Sequence, residues 1–234
     1  MYIDWYYIVL VLPAVILSLI ASRFVNSTFD KYSKIRNVSG ITGAEAARMV
    51  LMSKGIRNIS VQPISGNLTD HFNPKTNIIY LSETVYNSST PAAVGVAAHE
   101  AGHAVQHAGN YLPIKIRTAI VPITNFGARI SPILLLLGLF LSYYGSVFIT
   151  IAYIGVAMFA LSTVFQLVTL PTEFDASKRA ITALRESGLL KEDELACSKK
   201  VLSAAAMTYV AALAVSFMQL LRLFLIVNNR NSRK

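Results

Sequence analysis

Three of the chain's four histidines and one glutamate lie inside the apolar, alanine-rich run VGVAAHEAGHAVQH, Val94 to His107. His99-Glu100-x-x-His103 has the HExxH spacing. On a helix, histidines four apart share one face and bring two imidazoles to one metal ion; the glutamate beside the first is then placed to deprotonate a water on that ion. Thr90 followed by Pro91 is a helix start and Gly109 a stop, so a helix from Pro91 to Ala108 is predicted. At about 100° per residue, Val94, Ala97, Ala98, Ala101 and Val105 share one face, and His99, Glu100, His103 and His107 the other. Two neutral nitrogens completed by a carboxylate, with a fourth position for water, suit one Zn2+ ion.

The third ligand must come from elsewhere. At about 1.5 Å rise per residue, His107 stands roughly 12 Å along the axis from His99, too far to share an ion whose bonds are about 2 Å. The continuation HExxHxxGxxH is absent, because Gln106 and Gly109 occupy the positions that need Gly and His. His107 is therefore expected to contact a ligand rather than the ion, or to stand at the surface. The best candidate is Glu173 in LPTEFDASKRAITAL, where Pro171 precedes a predicted helix running to Ser187, with Gly188 after it. Glu173 then falls in a first turn. Asp175 is its rival, two residues on and so on a different face. A bland alternative is an acidic residue that merely favours a helix N-terminus.

These residues must be positioned by a chain whose composition is that of a membrane protein. Mean hydropathy is +0.51 and charged residues make up 14%, against about 25% in a typical globular protein. The net charge of +9 does not form one basic run. Its Lys and Arg residues flank apolar stretches, which sets topology and argues against nucleic-acid binding. Cys197 is alone, so no intramolecular disulfide is possible.

Trp5 to Ser22 carries no charge and reads as an uncleaved anchor rather than a signal peptide, since Asp4 and no Lys or Arg precedes it. Positions 130 to 172 are uncharged, long enough for a helical hairpin turning at SYYGS, Ser142 to Ser146. A fourth, weaker span covers about 203 to 227. Arg129 and Arg222 sit at or in these apolar runs, where snorkelling is the plain expectation. With all four spanning, residues 24 to 115 and 172 to 200 lie on one side. That side carries Lys31, Lys34, Arg36, Lys115, Arg117, Lys178, Arg179, Arg185, Lys199 and Lys200, and so is expected to be cytoplasmic. Arg230, Arg233 and Lys234 on the far side run mildly against this.

The polar portion reads as α+β. Thr42 and Glu45 form a capping box ahead of a helix from Ala44 to Ser53, and Gly55 suits its end. NISVQPI and NIIYLS are strand-like, separated by turn chemistry in SGNLTD and NPKTN.

HEAGHAVQH, LPTEFDASKRA and LTDHFNPKTNIIYLS together resemble the bacterial membrane neutral zinc metallopeptidases called YugP-like, over nearly the whole chain, including AAAMTYVAAL near the C-terminus. More distantly the chain is similar to the HtpX and CAAX prenyl-protease clan of integral-membrane gluzincins. That clan's third ligand is the Glu of E-(F/Y)-x-A-D, which here reads Glu173-Phe174-Asp175-Ala176-Ser177. Ser177 stands where the clan has Asp, so Asp175 is the candidate for that residue's orienting role. The resemblance implies a helical integral membrane protein of about four transmembrane helices with a small zincin domain. The division is 1–23, anchor; 24–117, zincin domain with the HExxH helix; 118–171, transmembrane hairpin; 172–200, third-ligand helix and connection; 201–234, C-terminal transmembrane helix and tail.

It implies a zinc-dependent endopeptidase of the bacterial plasma membrane, acting on peptides or membrane proteins from the cytoplasmic side, with Glu100 as general base and His99, His103 and Glu173 on zinc. It also suggests that Ile78, Ile79, Tyr80 and Leu81 form a strand edge that pairs with extended substrate, although a core strand reads equally well. Asp70-His71 is either a positioning pair or a solvated turn, and Tyr209 either an oxyanion helper or packing. The competing class is a non-catalytic membrane scaffold or assembly factor retaining the fold. A transporter lacks the paired broken helices it would need.

Overall fold

The structure, a computed structural model, describes residues 4–232. Along the chain its elements are α1 (Leu12–Tyr32), reached through a π-helical stretch Tyr7–Val11; α2 (Gly43–Ser53); β1 (Ser60–Ile64), β2 (His71–Asn73) and β3 (Ile78–Ser82); the single turn α3 (Glu83–Tyr86); α4 (Pro91–Ala108); α5 (Leu112–Leu141); and, after a 3-10 turn Ser146–Phe148, α6 (Ile149–Glu186) and α7 (Glu192–Ser232). The chain divides into two compact units. One holds the residues up to Ile20, Ile116–Leu170 and those from Tyr209 on; the other holds Ala21–Lys115 and Pro171–Thr208.

Among the described residues, four helical runs are long and apolar enough to cross a bilayer: Tyr7–Tyr32, Leu112–Leu141, Ser146–Glu186 and Glu192–Ser232. In the first unit α5 and α6 turn back on each other through residues 142–145. Their backbones come so close that a Cβ on Gly138 would lie 2.3 Å from the Ala152 nitrogen, the small-residue contact by which helices pack in lipid. The Ser131 hydroxyl donates to the Gly155 carbonyl at 2.8 Å across the same seam. Arg222 has a partner: its guanidinium donates through Nε and Nη2 to Asp4 and lies over the Tyr7 ring. Asn229 donates to Tyr6, and Arg230 donates to Ser142 at 3.0 Å with its guanidinium 3.9 Å over the Tyr143 ring. Residues 4–7, the hairpin turn and residues 222–230 thus meet at one end of this unit. Arg233 and Lys234 lie outside the described residues.

The second unit is built on α4. Thr90 caps it, its hydroxyl accepting from Ala93 N, with Pro91 in the first turn; helix starts favour both features. The Thr42–Glu45 capping box is present at the start of α2, which packs on α4. The sheet has the order β1-β3-β2, with β3 parallel to β1 and antiparallel to β2. Ile79 and Leu81 are fully buried, each worth about 1.5–3 kcal/mol by removal from water. They join Val94, Ala97, Ala98 and Ala101 of α4 and Ala180 and Leu184 of α6 in one core.

Two expectations are corrected. The segment carrying Glu173 is not a new helix starting at Pro171: α6 runs unbroken from Ile149 to Glu186 with Pro171 inside it. Proline removes one backbone bond and crowds the preceding turn. Here the helix is already formed upstream, and Thr172, Ala176, Ala180 and Leu184 bury its continuation. Glu173 is accordingly a mid-helix residue, and attraction to a helix N-terminus is not why a carboxylate stands there. The second correction concerns Ile78, Ile79, Tyr80 and Leu81. They lie on the central strand, where Ile78, Ile79 and Tyr80 are paired on both sides and so offer no free edge for a substrate, while Leu81 pairs with Pro63 of β1. The free edge beside α4 belongs to β2.

A candidate metal centre on two helices

His99 and His103 lie one helical turn apart on α4, with ring centroids 4.7 Å apart. α6 brings the fully buried Glu173 against them, and one ligand atom from each of the three lies within 4.8 Å of the others. The close approach comes from small residues. A Cβ on Gly102 would sit 2.6 Å from the Ala176 carbonyl oxygen, so only glycine permits this spacing of α4 and α6.

The nitrogens that face Glu173 are the Nε2 atoms: His99 Nε2 and His103 Nε2 are each 3.3 Å from the same oxygen, Oε2. A charge-assisted N–H···O bond is shorter, about 2.7–2.9 Å. In a tetrahedron with metal bonds of about 2.0–2.1 Å, however, neighbouring ligand atoms stand about 3.3–3.4 Å apart. The spacing therefore fits ligands around an ion better than an ion pair. Both Nδ1 atoms are engaged elsewhere, at 3.1 Å from Ser177 Oγ for His99 and 3.0 Å from Gln106 Oε1 for His103. This is how metal-binding imidazoles are usually oriented. Burial alone would push the His103 pKa down. The hydrogen bond to Glu173, the charges of Glu100 and Glu173 and the bond to Gln106 outweigh it and hold it above its ordinary value. The site is one that attracts positive charge.

Glu100 is buried on the same helix and accepts the Phe72 N–H of β2 through Oε2 at 3.0 Å. That strand is anchored in turn by Asp70, which accepts from Ser82 N at 2.8 Å and from the Ser82 hydroxyl. Burial pushes the Asp70 pKa up, against the Ser82 bonds, and the charge of Glu100 adds to the rise.

The predicted site residues are thus placed as follows. His99, His103 and Glu173 meet, with Glu100 buried beside them on α4. Asp175 accepts from Gln106 and Arg179 and touches neither histidine directly. His107 is exposed, edge-on to Phe72 at 5.7 Å between ring centroids. Asp70 bonds Ser82, and His71 stacks on Tyr80. Gln106 and Ser177 were not singled out as contacts of the histidines. Gln106 was within reach of helix spacing, since it follows His103 by three residues and shares its face. Nothing local to Ser177 reveals its distance from His99.

Fold and site together define a helical chain with four candidate membrane spans and a two-histidine, one-carboxylate candidate metal site. A family profile described as "Putative neutral zinc metallopeptidase" matches residues 7–228, and the chain belongs to that family. It is 42% identical over 223 residues, 95% of this chain and 97% of the other, to "Putative membrane protease YugP" of Bacillus subtilis (strain 168). No solved structure matches.

Proposed function

We propose that this protein is a zinc-dependent endopeptidase of the bacterial plasma membrane, whose second unit is a minimal zincin domain facing the cytoplasm. The observation that carries the reading is the convergence of two imidazole Nε2 atoms on one oxygen of a buried glutamate, at a spacing suited to a metal. His99, His103 and Glu173 would hold one Zn2+. Bound there, zinc supplies Lewis-acid polarisation of a carbonyl and brings the pKa of a water to about 7. Glu100 is the general base. Its Oε2 is held by the Phe72 N–H, so Oε1 is the oxygen that takes the proton and returns it to the departing amine. Family membership and the relative's name support peptide hydrolysis.

Extended substrate is held along the free edge of β2. In an antiparallel strand the N–H and C=O of one residue point to the same side, so the Phe72 carbonyl faces that edge beside Glu100. Membrane proteins and peptides are the substrates proposed for it. Among the charged residues predicted for the cytoplasmic side, all but Arg117 belong to the second unit, as the positive-inside rule requires of a cytoplasmic unit.

Metal analysis and a peptide-cleavage assay on the full chain in detergent test this. Purified parent protein is expected to carry one zinc and to cleave unfolded peptide. Glu100→Gln should keep the zinc and lose activity, and Glu173→Ala should lose both. Full cellular function with zinc-loaded Glu100→Gln would leave the scaffold as the better account, and equal zinc in Glu173→Ala would remove that residue from the site.

A further inference from the structure

Gln106 is a fully buried amide on α4, outside the ligand set, and its hydrogen bonds run in one direction only. Nε2 donates to the Thr172 carbonyl at 2.8 Å and to Asp175 Oδ2 at 2.8 Å, while Oε1 lies 3.0 Å from His103 Nδ1. A carbonyl and a carboxylate accept and cannot donate. The NH2 group must therefore face them, and Oε1 must face His103. An amide oxygen also only accepts, so His103 Nδ1 has to carry a hydrogen, and in the neutral ring that a metal binds, the lone pair is then on Nε2, the nitrogen on the Glu173 side. Arg179 Nε donates to the same Asp175 oxygen and its guanidinium lies over the Tyr111 ring, which steadies the carboxylate from behind. His99 has no such device: its Nδ1 meets the Ser177 hydroxyl, which can donate or accept and imposes no direction.

We propose that Gln106 is a positioning residue that locks His103 in its Nδ1–H form for the metal, and that Asp175, through the direction it imposes on the Gln106 amide, sets that lock. This rests on the zinc reading above. The two ligand histidines are then unequal, His103 being fixed by a charge-backed relay and His99 by a rotatable hydroxyl.

Zinc dissociation constants, measured by chelator competition on the full chain in detergent micelles, test it. Gln106→Leu keeps an apolar filling but removes the acceptor, and zinc binding should weaken about 10- to 100-fold, the usual effect of removing a group that orients a ligand. Gln106→Glu should also weaken it, because a second carboxylate then faces Asp175 and the Thr172 carbonyl. Adding Asp175→Asn supplies an NH2 group that can donate to Glu at 106. It should recover about tenfold of that loss, the worth of one charge-assisted bond, and stop short of parental affinity because the new carboxylate at 106 still faces the Thr172 carbonyl. A merely structural role would make the second substitution an added injury. Parent that binds zinc while Gln106→Leu binds it equally well, or a double variant no tighter than Gln106→Glu, overturns the lock alone. Parent that binds no zinc overturns both the lock and the zinc reading. Should Gln106→Leu fail to fold, the Glu/Asn pair decides.

Discussion

Gly102→Ala tests whether the candidate metal centre depends on how closely α4 and α6 approach. The added Cβ would lie 2.6 Å from the Ala176 carbonyl oxygen and 3.3 Å from its Cα. A carbon against a carbonyl oxygen settles at about 3.3 Å or more, so the helices must part locally by about 0.7 Å. Neither atom is the end of a flexible side chain, and neither can turn away. Glu173 stands three residues before Ala176 on α6, so the parting carries its carboxylate away from His99 and His103. Zinc sites tolerate about 0.2 Å in bond length. Zinc affinity should therefore fall tenfold or more, equivalent to at least about 1.4 kcal/mol. Overpacking of this kind costs about 1–3 kcal/mol of stability, offset by up to about 1 kcal/mol from alanine's better helix propensity. The control is Gly95→Ala, where the Cβ would lie 3.0 Å from Ser198 Cβ and press on α7 instead. It should lower the thermal midpoint and leave zinc affinity within a factor of about two. Chelator competition and thermal unfolding of both variants decide. A folded Gly102→Ala protein with parental zinc affinity, or a Gly95→Ala protein that loses as much, would refute the idea that this approach sets the site.

Other expectations follow from single contacts. Ser177→Ala removes the hydroxyl at His99 Nδ1 and should weaken zinc about tenfold without changing the thermal midpoint of metal-free protein, both read on the same sample. Asp70 has a folded pKa raised chiefly by burial, with the Glu100 charge adding to it and the Ser82 bonds opposing. Its contribution to stability is therefore fully present below the unfolded value of about 3.9 and is lost as pH rises through the folded value. Asp70→Asn lacks that titration, so its thermal midpoint should gain on the parent's between pH 4 and neutral, and a constant gap would contradict the sign. Breaking the Asp4–Arg222 pair from either side, with Asp4→Asn or Arg222→Leu, should destabilise more than removing both together, since a single change leaves one charge unpaired. Additive losses in that cycle would show the pair to be idle.

What was legible in the sequence was whatever local rules govern. The caps at Thr42 and Thr90, the Pro91 start and the turn at residues 142–145 each depend on a few neighbouring residues. The four candidate spans follow from length and the scarcity of charge. The pairing of His99 with His103 follows from helical spacing alone. Pro171 misled because a proline's local penalty is real but small beside the burial that carries α6 through it, and sequence shows only the first of these terms. The sequence separates the two faces of α4, yet the middle of the polar face is covered rather than solvated, and only His107 at its end is exposed. Glu100 and His103 are buried because α6 and β2 close over them, and no pattern within α4 encodes what lies opposite.

Sheet order was hidden for a different reason. Alternation and β-branching mark NIIYLS as a strand but are silent on whether one or both of its edges are paired. The deciding element, β2, is only His71–Asn73, too short to show a period and set between two turn-rich stretches. Its place is earned through contacts distant in sequence: Asp70 to Ser82 at one end, and the Phe72 N–H to Glu100 in the middle. Those bonds put β2 rather than β3 at the edge beside α4. They also tie Glu100, the proposed base, to the strand proposed to hold a substrate, so a change that displaces β2 should disturb binding and proton transfer together. β3 acts on the site by two routes, through its pairing with β2 and through the packing of Ile79 and Leu81 against α4, so a change there should be felt first as lost stability.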